Sequence, residues 1–108
     1  MGFIYLICDP SNDLYKIGVT RSHLFDSKRI KQLQTGNGTE LHLSSYYETE
    51  YPYKLEKMLH NHFANRNEHG EWFRLSNEEI NSFKDTCTYL SGIINSLLEN
   101  PFFSKDLH

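Results

Sequence analysis

Two short runs of apolar and β-branched residues begin the chain, and a polar segment separates them. Residues 3–8 read FIYLIC, residues 14–20 read LYKIGVT, and DPSND between them supplies residue types that turns use. This pattern predicts an antiparallel hairpin. The first strand is apolar on both faces and is expected to be central, whereas the second alternates and carries Lys16 and Gly18 on its more polar face.

Helical and extended patterns alternate along the rest of the chain. The segment 26–35 fits a short helix, 39–48 is typical of a third strand, and Pro52 suits the first turn of a second helix. EWFRL at 71–75 is expected to form a short edge strand or a plug, and a capping-box pattern then begins a helix over about 77–99. We therefore expect an α/β (α+β) fold: a small three-stranded, largely antiparallel sheet flanked by three main helices.

The composition is typical of one globular domain spanning residues 1–108. The chain is 38% hydrophobic and 14% aromatic, which supplies enough apolar surface for a core. The first apolar run is too short to span a membrane, and no basic region of a secretory signal precedes it. Cys8 and Cys87 are too far apart in the sequence to indicate a disulfide framework or a metal knuckle. We expect a soluble, intracellular (cytoplasmic) protein that is not secreted, binds no membrane and keeps both thiols reduced and buried.

The charge distribution is uneven. A net charge of −3 argues against a constitutive, sequence-independent nucleic-acid binder, because such proteins usually carry a basic surface. Residues 16–31 nevertheless contain five basic residues and one acid. A local basic surface and an ordinary solvated helix face both fit this run.

Five short motifs follow one another in the order used by GIY-YIG endonucleases. They are GFIY at 2–5, KIG at 16–18, Arg29 in R-x-x-x-L-Q-T-G, Glu56 in E-x-x-L-H-x-x-F, and EWF at 71–73. The sequence resembles the phage-type, or meiotically-up-regulated-gene, branch of that superfamily, with KIG in place of YIG. The resemblance covers the motif-bearing part, residues 2–75, and suits a phage or mobile-element origin.

The resemblance implies a metal-dependent endonuclease that hydrolyses phosphodiester bonds in DNA, with RNA left open as a substrate. It assigns Tyr5 as the base or proton shuttle and Arg29 as the ligand of the scissile phosphate. It assigns Glu56 as the ligand of one Mg²⁺ or Mn²⁺ ion. Lys16 stands at the position of the second signature tyrosine and is the candidate cation that helps Tyr5 to activate water. Phosphodiester hydrolysis requires these roles. Supporting contacts with nucleic acid are expected from Arg21, His23, Lys28 and Lys31.

The partnership of Tyr5 and Lys16 depends on the register of the hairpin. A free phenol titrates near pH 10, so it needs a neighbouring cation to act at neutral pH (about three units lower). Lys16 lies across from Tyr5 if the loop comprises residues 9–12 and Cys8 pairs with Asp13, whereas a slip of one residue places it on the opposite face. Without this partnership, Tyr5 fits a core aromatic and Lys16 an exposed lysine that protects a sheet edge.

Other interpretations of the acidic and histidine residues stay open. Glu56 also fits a surface glutamate paired with His60 one helical turn away. A zinc site formed by Glu56 with His60, His62 and His69 is disfavoured, because helical spacing places His62 toward the core.

An alternative function comes from a different class of protein. The altered signature and the acidic charge also suit a catalytically weak nucleic-acid-binding or regulatory module that retains the fold. A single small domain has little surface for reading a long target, so a homodimer or a larger partner protein fits either function.

Overall fold

The computed structural model describes residues 1–21 and 40–99. The predicted helix over 26–35 lies outside these residues. Four predicted site residues also lie outside them: His23, Lys28, Arg29 and Lys31. Their positions, and the assignment of the whole chain to one domain, stay predictions.

An antiparallel sheet of five strands forms the centre of the described part of the chain. The strands are β1 (Gly2–Asp9), β2 (Leu14–Thr20), β3 (His42–Thr49), β4 (Asn67–His69) and β5 (Trp72–Phe73). Their order is β3-β1-β2-β5-β4, so β1 has a neighbour on each side, as predicted. The prediction of three strands was wrong because β4 and β5 are too short to show alternation in the sequence. EWFRL contributes the short strand β5, but the prediction of an edge strand was wrong, because Trp72 pairs with Lys16 of β2 on one side and with His69 of β4 on the other.

The turn between β1 and β2 settles the hairpin register that the sequence left open, and it differs by two residues from the register that would pair Lys16 with Tyr5. Cys8 pairs with Tyr15 and Asp9 with Leu14, so residues 10–13 form the turn. The Asp9 carboxylate accepts a 2.8 Å hydrogen bond from the side-chain amide of Asn12. Asp13 adopts a φ of 54°, a left-handed conformation that Asp tolerates better than most residues. These local interactions stabilise a four-residue turn that begins one residue later than the loop required for direct pairing of Tyr5 with Lys16.

The observed register keeps Tyr5 and Lys16 on one face of the sheet. Tyr5 lies opposite Gly18, and Lys16 lies opposite Ile7. Because side chains alternate with a period of two, a shift of two residues preserves the face, although it separates Lys16 from direct pairing with Tyr5.

Three α-helices occur among residues 1–21 and 40–99. They are α1 (Pro52–His62), α2 (Asn77–Asn81) and α3 (Phe83–Leu98). The predicted capping box before α2 is confirmed, since the Ser76 hydroxyl accepts from the Glu79 amide at 3.2 Å and the Glu79 carboxylate accepts from the Ser76 amide at 2.8 Å. The predicted helix over 77–99 is interrupted at Ser82, whose backbone departs from helical values with φ −98° and ψ 11°. The Ser82 hydroxyl and amide both donate to the Glu78 carbonyl, at 2.7 and 3.0 Å.

Two groups of buried side chains cover the two faces of the sheet. The larger group joins one face of the sheet to α1 and α3 and includes Ile4, Leu6, Ile17, Leu55, Leu59, Phe73, Phe83 and Cys87. The smaller group, on the other face, contains Phe3, Tyr5, Ile7 and Leu41. The prediction that His62 faces the core was wrong: the residue is exposed at the end of α1, and its ring meets the edge of the Phe63 ring.

The two cysteines differ in environment. Cys87 is buried, and burial raises the pKa of its thiol to about 12. Cys8 is only partly buried, so the prediction of two buried thiols holds for Cys87 alone. No helix in the described ranges is long and apolar enough to cross a membrane.

Candidate active site

Tyr5 lies in the middle of β1 and is only 1% exposed. Its phenol ring lies across Gly18 of the neighbouring strand, where an added Cβ atom would be 2.3 Å from the Tyr5 hydroxyl oxygen. A glycine within a strand often marks such a close approach. The glycine of the KIG motif therefore provides the space in which the Tyr5 phenol lies.

Replacement of Gly18 by alanine is expected to displace the Tyr5 ring and to destabilise the fold by about 1–3 kcal/mol, the usual cost of overpacking. Urea unfolding measures this loss. Gly92→Ala in α3 is the matched control, because its added Cβ meets no atom within 4 Å and alanine favours a helix over glycine by about 1 kcal/mol. Equal unfolding midpoints for Gly18→Ala and the unchanged protein would contradict the close approach.

Lys16 forms the strongest side-chain contact of this region with a residue that the sequence did not single out. Its ammonium lies 2.8 Å from Oε2 of Glu71, and its side chain is only 12% exposed. It also lies 5.7 Å from the centre of the Trp72 ring. The interpretation of Lys16 as an exposed edge lysine was wrong, because β5 pairs with β2 and brings Glu71 and Trp72 against it.

Glu56 lies on α1 and points toward the same ion pair. Burial, followed by hydrogen bonding with Glu71 and repulsion from its charge, raises the pKa of Glu56 to about 7, although the charge of Lys16 acts in the opposite direction. Burial also opposes ionisation of Glu71, but the hydrogen bond and charge of Lys16 outweigh it and hold the pKa of Glu71 below its ordinary value. Oε2 of Glu56 is buried and has no hydrogen-bond partner within the described part. Glu56 is thus not an ordinary surface glutamate.

His60 follows Glu56 by one turn of α1. Its Nε2 lies 3.0 Å from the carbonyl oxygen of Ile17. Since a carbonyl only accepts, this contact requires a proton on Nε2 and leaves the lone pair of the neutral ring on Nδ1. The edge-to-face contact of the His60 ring with Phe73, at 5.0 Å between centres, also fixes its orientation.

The three residues Glu56, His60 and Glu71 form one cluster, which we call the carboxylate–histidine cluster. One potential ligand atom from each lies within 4.8 Å of those of the other two. The Ile17 amide donates to the Glu71 carbonyl at 3.1 Å, and the Ile17 carbonyl accepts from His60. The segment that carries Glu71 and the helix α1 are therefore both bonded to β2 at Ile17. Two carboxylates and an imidazole, with one carboxylate oxygen left unpartnered, are a donor set that fits a divalent cation.

Arg21 lies just after β2 and contacts the start of α1. Its guanidinium lies 5.2 Å from the centre of the Tyr53 ring, a distance typical of a cation–π contact. Tyr53 is 57% exposed and precedes Glu56 by three residues, so it lies on the neighbouring turn of α1. This pair places a positive charge and an open aromatic face beside the carboxylate–histidine cluster.

The structure brings some of the predicted site residues together. Lys16 and Glu56 meet through Glu71, Tyr5 shares a sheet face with Lys16, and Arg21 lies near the start of α1. Sequence reasoning missed Glu71 and did not assign His60 to the site. The signal for Glu71 was its position before WF, because any pairing of that segment with the KIG strand brings the glutamate next to Lys16.

Comparison with known proteins identifies a domain family. A family model described as the T5orf172 domain matches residues 2–88. This domain is associated with a nuclease-type superfamily that includes the GIY-YIG proteins, and it indicates a nuclease-like or DNA-binding function. Searches among curated proteins and among solved structures gave no match.

Proposed function

Because the chain belongs to the T5orf172 domain family, we propose that it is a metal-dependent endonuclease that hydrolyses phosphodiester bonds in DNA. The observation that carries this proposal is the convergence of the Lys16 ammonium with the carboxylates of Glu71 and Glu56 at one edge of the sheet. A fixed cation and a carboxylate with an unpartnered oxygen are groups that phosphodiester hydrolysis uses.

Lys16 and Tyr5 are proposed to activate the attacking water. Glu71 holds the Lys16 ammonium at 2.8 Å, so the ammonium has a fixed position and does not move freely in solvent as most lysine side chains do. The shared sheet face places this positive charge on the side of the sheet that carries Tyr5. A cation so placed favours the transfer of a proton away from water.

Glu56 is proposed to hold one Mg²⁺ or Mn²⁺ ion. The unpartnered oxygen of Glu56 fits this role, because a buried carboxylate oxygen without a hydrogen bond is costly unless a cation binds it. When bound, the ion supplies positive charge against the phosphate and the leaving oxygen.

Nucleic-acid binding is assigned to the basic residues near the site. Arg29 is proposed to bind the scissile phosphate, for which its planar guanidinium is suited. Arg21, His23, Lys28 and Lys31 are proposed to contact neighbouring phosphates. DNA is the proposed partner, and a second copy of the chain or a larger protein would extend the contact surface.

A catalytically weak nucleic-acid-binding module is the second candidate. The burial of Tyr5, at 1% exposed, and the occupation of the Lys16 ammonium by Glu71 favour it, since both groups are enclosed. The two functions differ in one outcome: the second binds nucleic acid without cutting it.

Cleavage assays with Arg29→Ala test the proposed function. The unchanged protein is expected to cut at least one of supercoiled plasmid, single-stranded DNA and RNA when Mg²⁺ or Mn²⁺ is present, and not in EDTA. Arg29→Ala should lower the rate about 10²- to 10³-fold, the usual loss when a group that stabilises transition-state charge is removed. Arg74→Ala is the matched control, because Arg74 is half-exposed and pairs with Glu68.

Two results would overturn the endonuclease proposal. One is binding without cleavage under every metal condition, which would select the nucleic-acid-binding module. The other is equal cleavage by Arg29→Ala and Arg74→Ala, which would indicate a contaminating nuclease.

A further inference from the structure

We propose that the carboxylate–histidine cluster is a transition-metal site in which His60 and Glu71 join Glu56, and that it binds Mn²⁺ in preference to Mg²⁺. The inference rests on the proposed function only for the role of Glu56 as a metal ligand. It adds two ligands and a choice of metal, and it requires no nucleic acid.

The spacing of the cluster suits a single ion. Potential ligand atoms of Glu56, His60 and Glu71 lie within 4.8 Å of one another. Two atoms that share one ion at about 2.0–2.2 Å are at most about 4.4 Å apart. The 4.8 Å bound exceeds this limit by only about 0.4 Å, so a single ion requires only a small approach of the three side chains.

The histidine is already oriented as metal-binding histidines usually are. Its Nε2 proton is directed to the Ile17 carbonyl at 3.0 Å, a second hydrogen bond of the kind that fixes the ring of a ligand histidine. The Nδ1 lone pair is the group that remains for a metal. Because His60 follows Glu56 by four residues on α1, both side chains lie on one helix face.

Both carboxylates retain an oxygen for the ion. Oε2 of Glu56 is buried without a hydrogen-bond partner among the described residues. Glu71 holds Lys16 through Oε2 and also contacts Glu56, and the several lone pairs of its carboxylate leave acceptor capacity for a metal. With both glutamates ionised, two negative charges face one ammonium, so the cluster attracts a cation and repels an anion.

The imidazole determines which cation is preferred. Mg²⁺ favours oxygen ligands and retains several waters, whereas imidazole suits first-row transition metals. Mn²⁺ accepts both oxygen and nitrogen ligands, and Zn²⁺ is expected to bind at least as tightly in the usual affinity order. The site differs from the four-residue zinc set considered above, because it excludes His62 and uses Glu71.

Titration with Mn²⁺ tests the site without nucleic acid. The fall of the free Mn²⁺ resonance in electron paramagnetic spectra should show one bound ion, and Mg²⁺ should displace it only at tenfold or higher concentration. His60→Gln and Glu71→Gln should each weaken Mn²⁺ binding by about 10- to 100-fold. His62→Gln, on α1 like His60, and Glu68→Gln, on β4 just before the turn that holds Glu71, are matched controls and should bind as the unchanged protein does.

A spectroscopic measurement distinguishes a ligand from a residue that only supports the fold. Bound Mn²⁺ should show hyperfine coupling to a nitrogen nucleus, and His60→Gln should remove that coupling at saturating Mn²⁺. Thermal unfolding in EDTA checks that each variant is folded.

The inference is overturned if His60→Gln and Glu71→Gln bind Mn²⁺ as the controls do, if nitrogen coupling is absent, or if Mg²⁺ competes at equal concentration. Its failure is distinguishable from that of the proposed function. Metal binding without DNA cleavage would reject the endonuclease and leave this site, whereas cleavage with unaltered metal binding in both variants would reject this site alone.

Discussion

Glu56→Gln is expected to lower DNA cleavage by about 10²- to 10³-fold while it makes the metal-free protein more stable at pH 8. The loss of cleavage follows from removal of the charge that is proposed to hold the ion, and losses of this size are usual when one charge-stabilising group is removed. Initial rates on supercoiled plasmid at saturating Mg²⁺ or Mn²⁺ measure it. Glu68→Gln, a half-exposed glutamate paired with Arg74, is the matched control.

The gain in stability follows from the pKa of Glu56, which burial and then Glu71 raise from 4.5 to about 7. A raised pKa means that folding favours the protonated carboxyl. The contribution of Glu56 to stability is therefore fully present below pH 4.5 and is lost as the pH rises through about 7. Glutamine has no charge to bury. After allowance for solvent screening of this partly exposed group, we expect Glu56→Gln to be more stable by about 1–2 kcal/mol at pH 8.

Urea unfolding in EDTA at pH 4.5 and pH 8 (about the two ends of the titration range) measures the stability difference between Glu56→Gln and the unchanged protein. The difference should be small at the lower pH and should favour the variant at the higher one. If Glu56→Gln is less stable than the unchanged protein at pH 8, or if the stability difference does not change with pH, the raised pKa of Glu56 is contradicted.

Lys16→Met is expected to reduce cleavage by about 10²-fold or more, because it removes the fixed cation on the sheet face that carries the proposed water-activating tyrosine. It also leaves Glu71 without its partner at 2.8 Å. Because the Glu71 side chain is 44% exposed, loss of the ion pair should destabilise the protein by only about 1 kcal/mol. Lys84→Met is the matched control, since Lys84 lies on α3 against the Tyr46 ring.

The double variant Lys16→Met with Glu71→Gln separates two roles of the lysine. If Lys16 only neutralises Glu71, removal of both charges should restore cleavage at saturating Mn²⁺. If the ammonium acts in the reaction, the double variant should stay as slow as Lys16→Met. Restored cleavage would therefore contradict the catalytic role proposed for Lys16. Comparison of the unchanged protein, the two single variants and the double variant gives the coupling energy between Lys16 and Glu71.

The sequence predicted those parts of the fold whose cause is local. The central position of β1 followed from a run that is apolar on both faces, and the start of α2 followed from the Ser76 and Glu79 pair. The sequence left the hairpin register open, because the position of the turn depends on the conformation of Asp13, which composition does not determine. The break at Ser82 was missed because apolar spacing continues across it.

The candidate site was predictable only as far as its residues belong to recognisable motifs. Glu56 and Lys16 were found in this way, and their approach is real. Glu71 belongs to the EWF motif but was given no role, because its contact with Lys16 joins residues 55 positions apart beside a strand of two residues. Neither hydrophobic periodicity nor local propensity carries information about a contact of that kind.

Ile17 has a consequence for how the site can vary. Its side chain is fully buried in the larger core, while its amide and carbonyl bond to Glu71 and His60. One peptide segment thus fixes the core on one side and two cluster residues on the other. A core substitution that shifts the Ile17 backbone by a fraction of an ångström would change the spacing of the cluster, so packing and chemistry are expected to evolve together at this position.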